Sequence, residues 1–431
     1  MNNIKNIKGT LDLFGNNLIK LKKLIKIFEK YFILYGYKQI ETPFIEKFNI
    51  INKIKKYNNY PIFFKIKKKY FLIFDLTIPL IRFCLTNINK LILPFKRYQI
   101  QKVWRGEKPQ NNRYREFYQC DIDIISLKSN YEEIEIVKLC DNIFNKLNLS
   151  VIFLINHKDI LYGLCEYLNI YKKNWFFFIK NIDKIDKKGE KKIKKILIKK
   201  IKKEKINKIF YFFKKKKKNI KFLLYLKKKF KKNKKYGLKG IKYLLKFFKI
   251  IYKIKLKKIK IKFEISLSRG LNYYSKTFFE IKFLNKINNL SLGGGGRYDK
   301  LFKLNNKNIK GIGISFGIYR IYNILNNINY KFFKNKKKKI LIINFKLNKY
   351  YNYIIKYFDI LIKNKFITFI YPYKEKIKKQ IKYAILNKYN YLIFLGNKEI
   401  KNNFLKLKDL YKKKEKIFYN IYKLINFIKK K

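Results

Sequence analysis

The chain has 431 residues, enough for two or three domains, and 48% of them are hydrophobic, so a sizeable core is possible. Its 107 lysines and arginines outnumber 27 aspartates and glutamates, which gives a formal net charge of +80. Such a charge usually indicates a polyanionic partner. The abundance of Lys, Asn, Ile, Phe and Tyr, with Ala384 as the one alanine, is also what a strongly AT-biased genome would encode in any protein. The charge therefore permits such a partner without demonstrating one.

The cysteines and the single histidine argue against several kinds of chemistry. Cys84, Cys120, Cys140 and Cys165 form no C-x-x-C pair, so neither a zinc site nor a disulfide framework is expected. His157 is the one histidine and has no visible catalytic partner, which makes it structural or exposed. The polar N-terminus and the lysines within the apolar runs predict no signal peptide and no membrane span, hence a cytoplasmic protein.

The most informative segment is Arg97 to Asp123, RYQIQKVWRGEKPQNNRYREFYQCDID. Two runs of roughly alternating apolar and polar residues flank the turn-prone stretch 106–112, which predicts an antiparallel hairpin with a long loop. Alternate residues of a strand share a face, so several arginines and carboxylates should point the same way as Phe117. Arginine forks match phosphate oxygens and a ring stacks on a base, which suits a nucleoside triphosphate beside a charged amino acid. The alternative is an exposed, salt-bridged ribbon.

A lysine-dominated block follows from Ile170 to Leu256, with apolar residues at helical spacing, and it is predicted to be mostly helical. Three distinctive segments come after it: SRGLNYYSKTFFE (268–280), LGGGGRYDKL (292–301) and GIGISFGIYRI (311–321). The glycine cluster permits close approach of a ligand, although a plain turn is the commoner meaning. It is not a phosphate-binding P-loop, because no Gly-Lys-Ser/Thr follows.

The last hundred residues have a different pattern. After a charged linker, Lys334 to Lys339, three short apolar runs alternate with two helical stretches. The runs are Ile340 to Phe345, Phe366 to Tyr371 and Tyr391 to Leu395, and the helical stretches are Tyr350 to Lys363 and Glu375 to Lys388. Buried parallel strands that alternate with helices predict a small α/β domain.

These segments resemble the class II aminoacyl-tRNA synthetases. Trp104-Arg105-Gly106-Glu107, the loop, Arg113 and Phe117 resemble motif 2 of that class. Residues 35–46, YGYKQIETPFIE, resemble motif 1, and residues 311–321 resemble motif 3, with Arg320 as its arginine and Tyr319 in place of the usual Glu.

Further segments narrow the resemblance to the histidyl-tRNA synthetases. Residues 268–280 are similar to the histidine-specific motif, with Asn272 where Asp is usual, and residues 292–301 resemble the Gly-Gly-Arg-Tyr-Asp loop beside bound histidine. Lys8-Gly9-Thr10 with Asp12 resembles the opening of the family. Asp75-Leu76-Thr77 resembles the Glu-x-Thr that holds the amino group.

The resemblance implies ATP-dependent ligation of histidine to tRNA(His) through a histidyl-adenylate. It implies these roles toward ATP: Arg105 binds the α-phosphate, Glu107 the adenine amino group, Phe117 stacks on adenine, and Arg113 and Arg320 hold the outer phosphates. Arg269 is implied to neutralise the reacting phosphorus, so Arg269 and Arg105 are the expected catalytic groups. ATP would enter with Mg²⁺, and no protein metal site or zinc is expected.

Toward histidine, the resemblance implies a second set of contacts. Asp75 and Gln119 would take the ammonium group, with Thr77 nearby. The imidazole nitrogens would be read by Asp123 and by Tyr273 or Tyr274, and Tyr298 would close the pocket. The family has Glu where Asp123 stands, so this contact is expected to be longer or bridged by water.

The implied fold is α+β. An antiparallel-sheet catalytic domain would comprise residues 1–169 and 259–330, with a helical insertion at 170–258 and an α/β anticodon-binding domain at 336–431. The insertion is interpreted either as a solvated, composition-biased helical face or as a contact for the tRNA acceptor arm, and motif 1 as the interface of a homodimer. The alternative functions are a non-catalytic synthetase paralogue that regulates histidine biosynthesis and a basic RNA-binding protein.

Overall fold

The fold is that of a computed structural model of the chain. It describes residues 4–49, 63–67, 69–110, 113–127, 132–214, 219–230, 236–268, 274–284, 290–299, 309–332, 337–345, 347–373 and 375–430. The chain divides into two compact units, residues 1–332 and 333–431. Half of the predicted linker, residues 334–336, lies outside the described part. Within that part, no helix combines the length and the apolar character needed to cross a membrane.

The described part of the first unit contains ten strands. They are β1 (Lys38–Gln39), β2 (Ile45–Lys47), β3 (Tyr70–Leu72), β4 (Phe95–Trp104), β5 (Glu116–Ser126), β6 (Val151–His157), β7 (Ile259–Phe263), β8 (Thr277–Phe283), β9 (Ser291–Arg297) and β10 (Lys310–Gly317). Eight of them form one sheet in the order β1-β4-β5-β10-β9-β8-β6-β7, while β2 pairs with β3. Every neighbouring pair in the large sheet is antiparallel except β1–β4 and β6–β7. The antiparallel catalytic sheet predicted from the sequence is therefore confirmed.

The predicted hairpin is the pair β4–β5, in register from Phe95 opposite Ile125 to Trp104 opposite Glu116. Even-numbered residues of β5, among them Cys120, Ile122 and Ile124, belong to the main hydrophobic core. Since successive strand residues point to opposite faces, the odd-numbered residues of β5 lie together on the other face. That face carries the candidate site.

Five helices pack against the strands of the large sheet or extend from them: α1 (Gly15–Leu34), α2 (Thr77–Thr86), α3 (Glu132–Lys146), α4 (Lys158–Tyr167) and, in the motif 3 segment, α11 (Ile318–Asn327). In α1 the buried residues Leu21, Leu24, Phe28 and Phe32 recur every three to four positions, which is the pattern of a helix with one apolar face. The Phe28 ring contacts Phe316 of β10 edge-on at 5.1 Å, so this face of α1 covers the core side of the sheet.

The lysine-dominated block is helical, as predicted. It contains α5 (Trp175–Ile182), α6 (Ile185–Lys188), α7 (Glu190–Ile198), α8 (Lys203–Lys214), α9 (Asn219–Phe230) and α10 (Leu238–Ile251). Each of the longer helices buries an apolar stripe, and these stripes join the core of the catalytic sheet. Gly163 and Gly237 let the block approach α4, because a Cβ on Gly163 would lie 2.8 Å from the Gly237 Cα. These helices pack against the core through their apolar stripes, and the lysines lie on their other faces.

The second unit has a five-stranded sheet in the order β12-β11-β13-β14-β15. Its elements are β11 (Lys339–Ile343), α12 (Leu347–Lys363), β12 (Ile367–Ile370), α13 (Ile377–Leu386), β13 (Tyr391–Phe394), α14 (Asn397–Lys401), β14 (Leu405–Asp409), β15 (Glu415–Phe418) and α15 (Ile421–Lys430). The three predicted strands are parallel, and β14 and β15 add to this sheet in antiparallel pairing. The last two were not predicted, because neither contains a continuous apolar run. Their signal was the alternation in LKLKD, which is typical of a strand with one exposed face.

Candidate active site

The site is built on a row of buried polar side chains that crosses β4 and β5. Opposite partners in the register are Arg97 with Asp123, Gln99 with Asp121, and Gln101 with Gln119. All six side chains are buried. Arg97 donates to Gln99, Gln99 donates to Gln101, Gln119 donates to Asp121, and Arg97 pairs with Asp123. These contacts hold the members of the layer in place.

At one end of the row, Asp123 lies between an arginine and a tyrosine. Arg97 Nη2 is 2.6 Å from Asp123 Oδ2, and the Tyr298 hydroxyl donates to Asp123 Oδ1. Arg97 also donates to Gln99 Oε1 at 3.1 Å and to the Leu76 carbonyl at 3.2 Å. Burial raises the pKa of Asp123, and Arg97 opposes that shift. The structure thus brings together Asp123 and Tyr298, which the sequence assigned to one pocket.

The glycine-rich segment 292–297 was expected to be a loop, and that expectation was wrong. It is the central strand β9, between β10 and β8. A Cβ on Gly295 would meet the Gly313 carbonyl and, at 2.6 Å, the Phe279 ring, while a Cβ on Gly313 would overlap the Asp123 carboxylate. Glycine is needed because three strands and a buried carboxylate share this space. Tyr298 reaches Asp123 from the end of that strand.

In the middle of the row, Gln119 connects Arg105 to Asp121. Gln119 Nε2 donates to Asp121 Oδ2 at 2.7 Å, and Arg105 Nη2 donates to Gln119 Oε1 at 3.3 Å. Arg105 Nε donates to the Phe74 carbonyl at 2.9 Å, and its guanidinium carbon lies 5.0 Å from the centre of the Phe117 ring. Burial raises the pKa of Asp121 to about 7, with Arg97 opposing that shift and Asp123 adding to it.

Arg105 is a half-buried cation beside this layer. Burial lowers the pKa of Arg105, and the nearby carboxylates of Asp75 and Glu107 counteract that shift. Arginine nonetheless stays charged in proteins. A fixed guanidinium beside an aromatic ring offers a nucleotide two neighbouring contacts. The guanidinium can pair with a phosphate oxygen, and the ring can stack on the base.

Asp75 lies at the start of α2, where its carboxylate acts as a helix cap. Asp75 Oδ1 accepts from the backbone N–H groups of Thr77 at 3.2 Å and Ile78 at 3.1 Å. Burial raises the pKa of Asp75, although these N–H groups and Arg105 favour its ionised form. Asp75 and Thr77 are therefore positioned together, with one carboxylate oxygen engaged by the backbone.

The loop between β4 and β5 carries charged side chains that lie outside the buried polar row. Glu107 and Arg113 form an ion pair across it. Arg115 Nε donates to the Glu107 carbonyl at 3.3 Å, and the backbone N–H of Arg115 donates to the Gly9 carbonyl at 2.8 Å. Gly9 has φ +95° and packs against Pro109, so a side chain there would be strained and crowded. The N-terminal Gly-Thr segment thus supports the loop of motif 2.

The helix α11 positions the motif 3 residues. Arg320 Nη1 donates to the Ser291 carbonyl at 2.9 Å, which ties the helix to the start of β9. Tyr319 stacks on Tyr118 at 6.4 Å and contacts Tyr114 at 5.4 Å, and burial raises its pKa to about 12. Tyr118 is an even-numbered residue of β5, so Tyr319 lies in an aromatic cluster on the face opposite Gln119.

Three predicted residues of the histidine-specific motif remain to be placed. Arg269 and Tyr273 lie outside the described residues. The Tyr274 ring stacks on Phe278 at 6.3 Å, and its carbonyl accepts from Lys158 Nζ at 3.1 Å. The family resemblance implies Tyr273 or Tyr274 as the imidazole contact, and the packing of Tyr274 on a core phenylalanine favours neither of them.

The sequence analysis missed two buried arginines, Arg97 and Arg297. Arg297 ends β9 and pairs with Glu133 at 2.6 Å and Glu132 at 2.5 Å on α3. The Tyr243 hydroxyl of α10 donates to Glu133 at 2.8 Å, so the helical block shares this network. Burial alone would raise the pKa of Glu133, but Arg297 holds it below the usual value. No local pattern predicts these pairs, because the partners are far apart in the sequence.

Comparison with known proteins agrees with this geometry. A family model described as histidyl-tRNA synthetase matches residues 9–321, and one described as anticodon binding domain matches residues 339–431. The histidine--tRNA ligase of Azobacteroides pseudotrichonymphae genomovar. CFP2 is 35% identical over 88% of both chains. That of Christiangramia forsetii is 33% identical over 88% of this chain and 89% of its own.

Solved structures give the same fold. The histidyl-tRNA synthetase from Nostoc sp. PCC 7120 superposes with a TM-score of 0.81 over 100% of both chains, at 24% identity. The apo histidyl-tRNA synthetase of S. aureus superposes with a TM-score of 0.67 over 98% of this chain and 99% of its own, at 19% identity. The match of one family model to most of the chain, together with relatives above 30% identity over nearly nine-tenths of it, means that the chain belongs to the histidyl-tRNA synthetase family.

Proposed function

We propose that this chain is a histidine–tRNA ligase in which the β4–β5 face joins ATP and histidine and then passes the histidyl group to tRNA(His). The observation that carries the proposal is the row of polar side chains from the half-buried Arg105 through Gln119 to the buried Asp123. It holds a phosphate-binding cation and an imidazole-binding carboxylate on one pair of strands. Two substrates bound along this row would have their reacting ends near Gln119.

The ATP half of the site comprises Arg105, Glu107, Arg113, Phe117 and Arg320. Arg105 is held at two of its nitrogens and is the group that would bind the α-phosphate. Adenine would stack on Phe117, with Glu107 accepting from its amino group. Arg113 and Arg320 would hold the outer phosphates, and the Mg²⁺ that accompanies ATP would neutralise part of their charge. Arginine suits each phosphate contact because its planar fork matches two oxygens.

The histidine half comprises a carboxylate at each end. Asp123, oriented by Arg97 and Tyr298, would accept from an imidazole N–H. Asp75, Thr77 and the Oε1 of Gln119 would surround the ammonium group. A site of buried polar groups rejects an analogue that lacks the matching donor, because the acceptor that would pair with that donor is then left unpaired. Tyr273 or Tyr274 completes this set.

The reaction needs positioning and charge neutralisation more than proton transfer. A carboxylate oxygen of histidine attacks the α-phosphorus, the bond to the β-phosphate breaks, and pyrophosphate leaves. Arg105 and Arg269 would stabilise the charge that accumulates on the reacting phosphoryl oxygens. In the second step a hydroxyl of the terminal adenosine of tRNA takes the histidyl group and AMP leaves. The carboxylate has no proton to lose, so its attack requires no general base.

The remaining parts of the chain would serve tRNA and assembly. We assign tRNA contacts to the helical insertion, residues 170–258, and to the anticodon-binding domain, residues 336–431. Motif 1 would form the interface of a homodimer, since Phe44 and Ile45 leave 43% and 51% of their surface exposed in that segment. We place the protein in the cytoplasm; all four cysteines are free and buried, which suits a reducing compartment.

The two alternatives receive less support. A paralogue that regulates histidine biosynthesis usually lacks the anticodon domain and several active-site arginines, whereas this chain has Arg105, Arg113 and Arg320 and a match to an anticodon-binding domain. A purely RNA-binding protein would have no need of the hydrogen-bonded chain from Arg105 through Gln119 to the buried Asp121.

Histidine-dependent exchange between ATP and pyrophosphate tests the proposal directly. The purified chain should incorporate labelled pyrophosphate into ATP only when histidine is present, and should acylate tRNA(His) in a second assay. Exchange without aminoacylation would contradict the assigned second step. Absence of both in folded protein would favour the regulatory or RNA-binding alternatives.

A further inference from the structure

Gln119 is a buried amide whose two ends are bonded to groups of opposite charge. Its Nε2 donates to Asp121 Oδ2 at 2.7 Å, and its Oε1 accepts from Arg105 Nη2 at 3.3 Å. An ionised carboxylate, the form of Asp121 that Arg97 favours, only accepts, and a guanidinium only donates. If the amide were inverted, two acceptors would face each other at Asp121 and two donors at Arg105. The two charged neighbours therefore select one orientation of the amide.

Asp121 is well placed to act as the fixed hydrogen-bond acceptor for Gln119. Its side chain is 3% exposed and shares a face of β5 with Gln119 and Asp123. It lies opposite Gln99 on β4 and opposite Ser315 on β10. Strands on both sides keep it from rotating toward solvent. Burial of a carboxylate costs stability, and the same burial raises the pKa of Asp121. A role in function therefore explains the presence of Asp121 here better than a role in stability does.

We propose that Asp121 is a positioning residue for adenylate formation, which acts by holding the Gln119 amide with its oxygen toward the histidine ammonium group and Arg105. This inference rests on the proposed contact between Gln119 and that ammonium group. Asp121 itself touches no substrate. A residue at position 121 that can donate an N–H to Gln119 would permit the inverted amide. The NH₂ of Gln119 would then face both the ammonium group and Arg105.

The test is a double-mutant cycle in pyrophosphate exchange. Asp121→Asn has nearly the same shape but can present either a donor or an acceptor to Gln119. It should raise the KM for histidine on the order of tenfold, while the KM for ATP changes by less than about threefold. Gln119→Ala should also raise the KM for histidine. In the Gln119→Ala background, Asp121→Asn should have no further effect, because the group through which it acts is gone.

An analogue without the ammonium group separates positioning from general damage. Imidazole-4-propionate keeps the imidazole and the carboxylate of histidine, so its inhibition constant should be the same for the wild type and for Asp121→Asn. A structural defect would weaken both ligands. Asp409→Asn in the second unit removes another buried carboxylate and should leave the exchange kinetics unchanged. Asp121→Ser, whose hydroxyl also donates or accepts, serves as a second variant, and thermal unfolding checks that each protein is folded.

Each outcome bears on one of the two assignments. Additive effects of Gln119→Ala and Asp121→Asn would show that Asp121 contacts the substrate directly and would overturn the positioning role. An unchanged KM for histidine in Asp121→Asn and Asp121→Ser, with a raised KM in Gln119→Ala, would overturn it as well while leaving the ammonium contact intact. An unchanged KM in Gln119→Ala would overturn the ammonium contact itself, and with it the inference.

Discussion

Arg97 and Asp123 form an ion pair of 2.6 Å between two side chains that are almost completely buried. The pair has two consequences. It fixes the orientation of a carboxylate that the family resemblance assigns to the imidazole of histidine, and it makes the stability of the sheet depend on the same group. Removing one partner of a buried pair leaves the other charge uncompensated, which typically costs about 3–5 kcal/mol.

Asp123→Asn should therefore weaken histidine binding and destabilise the fold together. The amide still accepts a hydrogen bond from imidazole but loses the charge assistance, at a cost of about 1–2 kcal/mol in binding. Exchange kinetics should show a raised KM for histidine with a nearly unchanged KM for ATP, and urea unfolding should show the loss of stability. A raised KM for ATP alone would mean that Asp123 belongs to the nucleotide half.

Arg105 should tolerate neither alanine nor lysine. Its guanidinium bonds Phe74 and Gln119 and lies over the Phe117 ring, and a lysine has one nitrogen for all of these contacts. Loss of a preorganised charge contact costs about 2.7–4 kcal/mol, so Arg105→Ala and Arg105→Lys should both lower kcat of pyrophosphate exchange by about 10²–10³-fold. Arg82→Lys makes the same change at the partly buried pair with Glu46 and should leave kcat unaltered. Substantial activity in Arg105→Lys would show that charge alone suffices.

Local patterns in the sequence predicted much of this fold. The β4–β5 hairpin follows from alternation, the helices within residues 170–256 from apolar residues at helical spacing, and three strands of the second unit from continuous apolar runs. All of these depend on residues close together in the chain. The resemblance to synthetase motifs then supplied which of their side chains to associate with ATP and histidine.

Other features could not be predicted because they depend on distant partners. The strand β9 reads as a turn in the sequence, since nothing local shows that Gly295 must fit against Gly313. The pairing of Arg297 with Glu133 joins residues more than 160 positions apart, and Arg97 becomes informative only when the register sets it opposite Asp123. The role inferred for Asp121 required knowledge of which end of Gln119 it holds.

The imidazole of His157, the one histidine, should stay neutral at pH values well below the usual pKa of histidine. It is buried, its Nδ1 accepts from the backbone N–H of Asp159 at 3.1 Å, and it caps α4. Burial lowers its pKa to about 4, although Asp159 and Glu133 oppose the shift. In an untagged protein labelled with ¹³C-histidine, one imidazole resonance should titrate near pH 4. Titration near pH 6.5 would mean that the ring is accessible to water.

The same shift makes stability depend on pH in a defined direction. The unfolded chain binds a proton at His157 below about pH 6.5 and the folded chain only below about 4, so stability is lost as the pH falls between these values. The loss from this residue is on the order of 3 kcal/mol. His157→Asn keeps a capping acceptor but does not titrate. Its stability relative to the wild type should therefore improve between pH 7 and 4, and a constant difference would contradict the assignment.

Removal of residues 336–431 should separate the two half-reactions. The two units have separate hydrophobic clusters, since the core around Ile340, Ile393 and Leu424 contains only residues of the second unit. The first unit should therefore fold alone. Every residue proposed to contact ATP or histidine lies before residue 330, so histidine-dependent exchange should be nearly unchanged, with about the same KM for both substrates as in the full chain.

Aminoacylation should respond differently, because the second unit is proposed to bind the anticodon stem. The truncated chain should show a raised KM for tRNA(His), and the full chain should lose tRNA affinity steeply with added salt, since lysine contacts to phosphates release counterions. A flatter salt dependence in the truncated chain would locate those contacts in residues 336–431. Equal aminoacylation kinetics in both proteins would show that this unit does not read the tRNA. Loss of exchange in a truncated chain that unfolds cooperatively would mean that the second unit also supports the catalytic sheet.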